Sequence, residues 1–174
     1  SRDYGYGVAP LKAAAGSLPL VYWGAGSNPT FWDIDLDAPG PSYTTHITPH
    51  VGAVSAVTDV VWSQGEQDSL TATFDKTVYK NALRSLCIRL NADFGGKVII
   101  QNLGRTTTVP PLLTAVQDIR EAQVEIAAEL DFVSIGAIQN TMPLTDTVHL
   151  TNAGNNMVGA QAGKALSIAY GLAT

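Results

Sequence analysis

The chain has 174 residues, 45% of them hydrophobic and 14% charged, with a formal net charge of −5. That is the size and composition of one globular domain with a sizeable core, not of a disordered segment. The 10 Lys and Arg residues form no cluster, which argues against nucleic acid as a partner, and the longest apolar runs are far too short to cross a bilayer.

No repeat, low-complexity tract or charged linker divides the chain, so residues 1–174 read as a single domain. Val8–Ala15 is short and Ala-rich and predicts a helix capped by Gly16. Pro19–Trp23 (P-L-V-Y-W) predicts a first strand, and Thr30–Ala53, full of Pro, Gly, Thr and Asp, predicts a long loop. Val57–Trp62 predicts a second strand. Asp75–Asp93 carries Val78, Ala82, Leu86 and Leu90 at helical spacing and is followed by Gly95-Gly96. Val98–Gln101 (V-I-I-Q) is the third strand. Thr114–Leu130 repeats Val116, Ile119, Ala122, Ile126 and Leu130 on one helical face. Phe132–Ile135 is the fourth strand, and Asn152–Tyr170 the last helix, with Met157, Ala160, Ala165, Ile168 and Ala169 on its apolar side. The strand runs read as continuously apolar rather than alternating, as in a parallel sheet covered on both faces. Strands alternating with helices predict βαβ units and an α/β, doubly wound, three-layer αβα sandwich.

In such sheets, chemistry gathers in the loops beyond the carboxyl ends of the strands. Gly24-Ala25-Gly26-Ser27-Asn28 follows the first strand, Ser63–Asp68 the second, Asn102–Arg105 the third, and Asp146 with His149 the fourth. A carboxylate bonded to one imidazole nitrogen fixes the tautomer and leaves the other nitrogen as a general base, so Asp146-Thr147-Val148-His149 has the form of a catalytic pair. Thr151 and Asn152 offer an N-cap just after it. The competing reading makes Asp146 a turn cap. In W-S-Q-G-E-Q-D (62–68), the Gln64 amide could donate to an oxyanion. Gly65 allows close backbone approach, and Glu66 could anchor the loop or serve as the acid. A tight polar strand-to-helix loop is the plainer alternative. The glycines of the first loop can aim N–H groups at an anion, and Ser27 there is either a nucleophile or an ordinary turn serine. Of the aromatics, Trp32 is the best candidate for stacking on a sugar ring, ahead of Trp23 and Tyr43, which read as packing. His46 and His50 flank Pro49 in a loop without a Cys or carboxylate beside them, a poor zinc site. Cys87 reads as a small core residue.

These stretches resemble a known family. W-S-Q-G-E-Q-D resembles the third conserved block of the SGNH-hydrolase superfamily, in the form carried by carbohydrate acetylesterases of the sialate O-acetylesterase type, and D-T-V-H-L-T-N-A-G resembles their last block. The Tyr79–Arg84 helix and R-E-A-Q (Arg120–Gln123) are also similar. The resemblance implies removal of O-acetyl groups from a glycan by a serine, a histidine and an acid, without metal or cofactor. It makes His149 the base and Asp146 its partner, with Glu66 the alternative acid. It makes Gln64, Gly24 and Gly26 oxyanion-side groups. The alternative is a non-catalytic glycan-binding or adhesin module of the same fold, as in a phage tail protein. Either implies an extracellular or virion-associated setting, with no membrane and with room for a homo-oligomer.

One departure bears on the nucleophile. G-Y-G-V-A-P through G-A-G-S-N-P-T-F-W resembles the family's second block rather than its first, so the serine-bearing first block is not matched by residues 1–174. The resemblance therefore implies an upstream segment carrying the nucleophile, whose strand would lie between Pro19–Trp23 and Val57–Trp62. Two apolar strands flanking an empty slot would leave backbone groups unpaired.

Overall fold

The computed structural model describes residues 18–24, 29–53, 58–104, 113–139, 142–145 and 149–172. The helix expected over Val8–Ala15, and Gly26, Ser27 and Asp146, lie outside them. In chain order the elements are β1 (Trp32–Asp33), β2 (Ala38–Pro39), α1 (Pro41–His46), a 3-10 turn (Thr48–His50), β3 (Thr58–Trp62), α2 (Glu66–Ser69), α3 (Lys76–Phe94), β4 (Gly95–Asn102), α4 (Leu113–Glu129), β5 (Val133–Ile138) and α5 (Asn152–Ala169).

The central sheet is parallel, in the order β3-β4-β5. Val60 pairs with Val98, and Val98 with Val133. α3 and α4 pack on each other and on one face of the sheet, and α5 packs on β5 and β4. Alternation along β4 separates the two faces. Val98 and Ile100 join the core under α3 and α4, whereas Ile99, equally buried, is not part of that cluster and turns toward α5. This is the three-layer αβα arrangement that the sequence predicts.

Local chemistry explains the helix boundaries. Asp75 caps α3, its Oδ1 accepting from Thr77 N at 2.8 Å and Val78 N at 3.0 Å. Gly95, at φ 72°, ends the same helix in the left-handed conformation and starts β4 without a loop. The periodic residues Ala82, Leu86 and Leu90 of α3 and Val116, Ile119, Ala122 and Ile126 of α4 are all buried. Each large aliphatic side chain so buried contributes roughly 1.5–3 kcal/mol. On the outer side, Lys76, Lys80 and Arg84 of α3 pair with Glu121, Glu125 and Glu129 of α4. Cys87 is buried in the core, and burial pushes its thiol up to about 12, which makes it unreactive.

Three expectations are corrected. Pro19–Trp23 is not a strand of the sheet. Its carbonyls at Pro19 and Leu20 accept from Phe31 N and Trp32 N, and its Leu20 N–H goes to the Asp68 carboxylate, so these groups are bonded outside the β3-β4-β5 sheet. Thr30–Ala53 is not simply a loop. It holds the antiparallel β1–β2 pair, α1 and the 3-10 turn, and His46 ends α1. A proline at N1 starts α1, where a missing N–H costs nothing. On α5, Met157 and Ile168 are 44% and 52% exposed rather than buried; among the described residues that helix packs mainly on β5 and β4.

Candidate active site

The site is built at the carboxyl end of β3. Trp62 closes the strand against Phe31, edge to face at 5.0 Å, and the chain turns through Ser63 and Gln64 into α2. Gly65 makes the turn at φ 138°, a conformation that L side chains rarely adopt. A Cβ there would also stand 3.0 Å from Ile119 Cγ2. Gly65→Ala is accordingly expected to lower stability by about 2 kcal/mol or more through backbone strain alone. Urea denaturation of the variant measures this, and a loss within about 0.5 kcal/mol, the range of a neutral surface change, contradicts the strained geometry.

Asp68, on the third residue of α2, is fully buried. Its carboxylate accepts from Leu20 N at 3.1 and 2.9 Å, from Trp23 Nε1 at 2.6 Å and from Gln64 Nε2. Burial raises its carboxyl above the ordinary value, while the hydrogen bonds from Leu20, Trp23 and Gln64 oppose that rise. Trp23 is further held by Phe74, ring centroids 5.3 Å apart, and its carbonyl accepts from Thr73 Oγ1 at 2.9 Å. Gly24 follows directly, at φ 119°.

A second brace comes from α4. Gln123, fully buried, donates through Nε2 to Gln64 O at 3.1 Å. Its Oε1 accepts from Leu103 N at 2.8 Å and Asn102 Nδ2 at 3.1 Å. Arg120 donates to Leu103 O at 2.8 Å and Gly104 O at 2.5 Å. The R-E-A-Q stretch thus ties the loops after β3 and β4 to each other.

His149 belongs to the connection between β5 and α5, which by topology lies at the same sheet edge. Its side chain is exposed. Its main chain is set by Thr145 N donating to His149 O at 2.7 Å and by the Leu144–Leu150 bridge. Thr151 then caps α5, accepting from Gly154 N at 3.0 Å. Glu66 opens α2 beside Gln64 and is half-buried, its carboxylate hydrogen-bonded to no described residue.

Two expected roles do not fit this geometry. Both amide hydrogens of Gln64 are committed, one to Leu18 O at 3.3 Å and one to Asp68, so none remains for an oxyanion. The side chain is a brace. Trp32, expected as a sugar platform, is 4% exposed, with its indole N–H on Asp37 Oδ1 at 2.9 Å. Burial leaves it no ring face for a ligand. The exposed aromatic near the Gly-rich loop is Tyr22, 56% exposed, on a cleft of about 610 Å3 shared with Thr30, Ile34 and Asp35. The sequence flagged neither Tyr22 nor the Asp68 contacts. The signal for Asp68 was its place four residues after Gln64, across the Gly65 turn into α2.

A family model described as carbohydrate esterase, sialic acid-specific acetylesterase, matches residues 8–167. The chain belongs to this carbohydrate-esterase family. No curated protein and no solved structure matches it at a significant level. The match spans both marked stretches, W-S-Q-G-E-Q-D and D-T-V-H, together with the braces between them. Membership supports esterase activity on carbohydrate in general, and the parallel sheet flanked by helices agrees with it.

Proposed function

We propose that the protein removes O-acetyl groups from a glycan by serine-histidine-acid acyl transfer. The observation that carries this reading is the convergence of the W-S-Q-G-E-Q-D loop and the chain entering Gly24 at the carboxyl end of β3. A serine Oγ attacks the acetyl carbonyl carbon as His149 takes its proton. Backbone N–H groups of the Gly24–Gly26 loop stabilise the oxyanion. Asp146 orients the imidazole, with Glu66 the alternative. The tetrahedral intermediate collapses, and His149 returns the proton to the departing sugar oxygen. Water, activated by the same imidazole, then releases acetate from the acyl-serine. No metal or cofactor enters these steps. The cleft beside Tyr22 is the natural place for the sugar.

The nucleophile belongs, on this reading, to a segment upstream of residue 1 that adds a strand to β3. Two facts support it. Among the described residues β3 has no strand on its outer side. Trp62 Nε1 and Gln64 Oε1, at the end of β3, are buried polar atoms without partners. Such atoms ordinarily find partners in a complete core.

Treating the intact protein with a fluorophosphonate and mapping the adduct tests the assignment. The expected outcome is turnover of p-nitrophenyl acetate and a label on a serine preceding residue 1. A label on Ser27 transfers the nucleophile to the Gly-rich loop. A protein that binds glycan but neither turns over the ester nor takes the label is a binding module.

A further inference from the structure

We infer that Asp68 is the positioning residue of this site: its buried carboxylate clamps the chain leading to Gly24 onto the end of β3, and so fixes where Gly24 stands. This rests on the esterase reading above, because only there does the loop have an oxyanion to meet.

The geometry distinguishes a clamp from ordinary packing. Leu18–Gly24 is not part of the sheet, so no strand ladder fixes its height relative to β3. Leu20 N and Trp23 Nε1, three residues apart, are instead gathered on one carboxylate, and the same carboxylate holds the side chain of Gln64. Both oxygens are used, so the group is fixed in rotation as well as in place. Gln64 in turn is anchored from the opposite side by Gln123 through its carbonyl. The three attachments run from α4 through the β3 loop to Asp68 and on to the residue before Gly24. A charged group buried at this point costs folding energy unless its bonds are complete. What it supplies is a bidentate acceptor that no apolar side chain could replace. Asp68 itself is wholly covered and cannot touch substrate.

Asparagine is the informative replacement. It keeps the shape but has one acceptor oxygen, and its NH2 would face the donors that the carboxylate now binds. In the intact protein, Asp68→Asn is expected to lower kcat for p-nitrophenyl acetate by about 10- to 100-fold, the scale of a misplaced catalytic geometry, with KM changed by no more than about twofold. Hydrogen exchange at the Leu20 amide and the Trp23 indole N–H should quicken while the amides of β4 stay protected. Asp68→Glu, one methylene longer, should not restore kcat. Ile126→Val, a core change far from the loop, is the control for a general loss of stability and should keep wild-type kcat. Should Asp68→Asn fail to fold, Trp23→Phe removes one donor and leaves the carboxylate. It should lower kcat by about threefold or more, a fraction of the misplacement effect.

Folded Asp68→Asn with kcat within twofold of wild type, or Trp23→Phe with unchanged kcat, overturns the clamp and leaves the esterase reading standing. A loss of kcat equal to that of a control with the same stability loss also overturns it. Wild-type protein without ester turnover overturns both.

Discussion

Replacing His149 by alanine in the intact protein is expected to abolish deacetylation while leaving the fold in place. A general base in acyl transfer is needed twice, to deprotonate the serine and then the water, and its removal typically costs roughly 10⁴-fold or more in kcat. The structure gives reason to expect a clean variant. His149 is an exposed residue, so little buried surface is lost. The local backbone is held by Thr145 N on His149 O, by the Leu144–Leu150 bridge and by the Thr151 cap, none of which uses the imidazole. Thermal melts of the variant and wild type should nearly coincide. The measurement is kcat/KM on p-nitrophenyl acetate and on an acetylated sugar. A variant retaining more than about a tenth of the wild-type rate removes His149 from the role of base.

Asp146→Asn and Glu66→Gln, compared side by side, should differ by a wide margin. The acid of such a triad fixes the tautomer of the base and stabilises its protonated form, and an amide in its place costs about 10³–10⁴-fold in kcat. Asp146 is three residues before His149, close enough along the chain to reach the imidazole, and its replacement is expected to carry that loss. Glu66 opens α2 just after the Gly65 turn, and its replacement is expected to cost about 10-fold or less, the scale of an electrostatic neighbour rather than a partner. The reverse order assigns the acid to Glu66. Two small effects would take both carboxylates out of the triad.

The W-S-Q-G-E-Q-D and D-T-V-H stretches are legible because their chemistry is local. A carboxylate three residues before a histidine, and a glutamine, glycine and glutamate after an apolar strand, are readable without knowing what packs where. Membership of the carbohydrate-esterase family agrees with that reading over residues 8–167. Long-range bonds were not legible. Asp68 could be read only as a third polar residue in a loop, since its partners Leu20 and Trp23 are 48 and 45 residues away. Nothing in the sequence says that Leu18 O and Asp68 take both hydrogens of the Gln64 amide. Nothing local to F-W-D tells that Trp32 is buried, with its indole N–H on Asp37.

By itself the sequence determined the alternation of β3, α3, β4, α4, β5 and α5. Their apolar periods, the Asp75 and Thr151 caps and the Gly95 stop act over four residues or fewer. Tertiary structure alone decided that Pro19–Trp23 leaves the sheet and becomes the approach to the Gly24 loop. A run of apolar residues is compatible with either fate. The choice turned on where one amide, Leu20 N–H, found its acceptor, and that acceptor is a carboxylate brought within 2.9 Å by the folding of α2. A hydrogen bond whose partners are 48 residues apart leaves no trace in local periodicity, because the contact exists only once the chain has closed on itself.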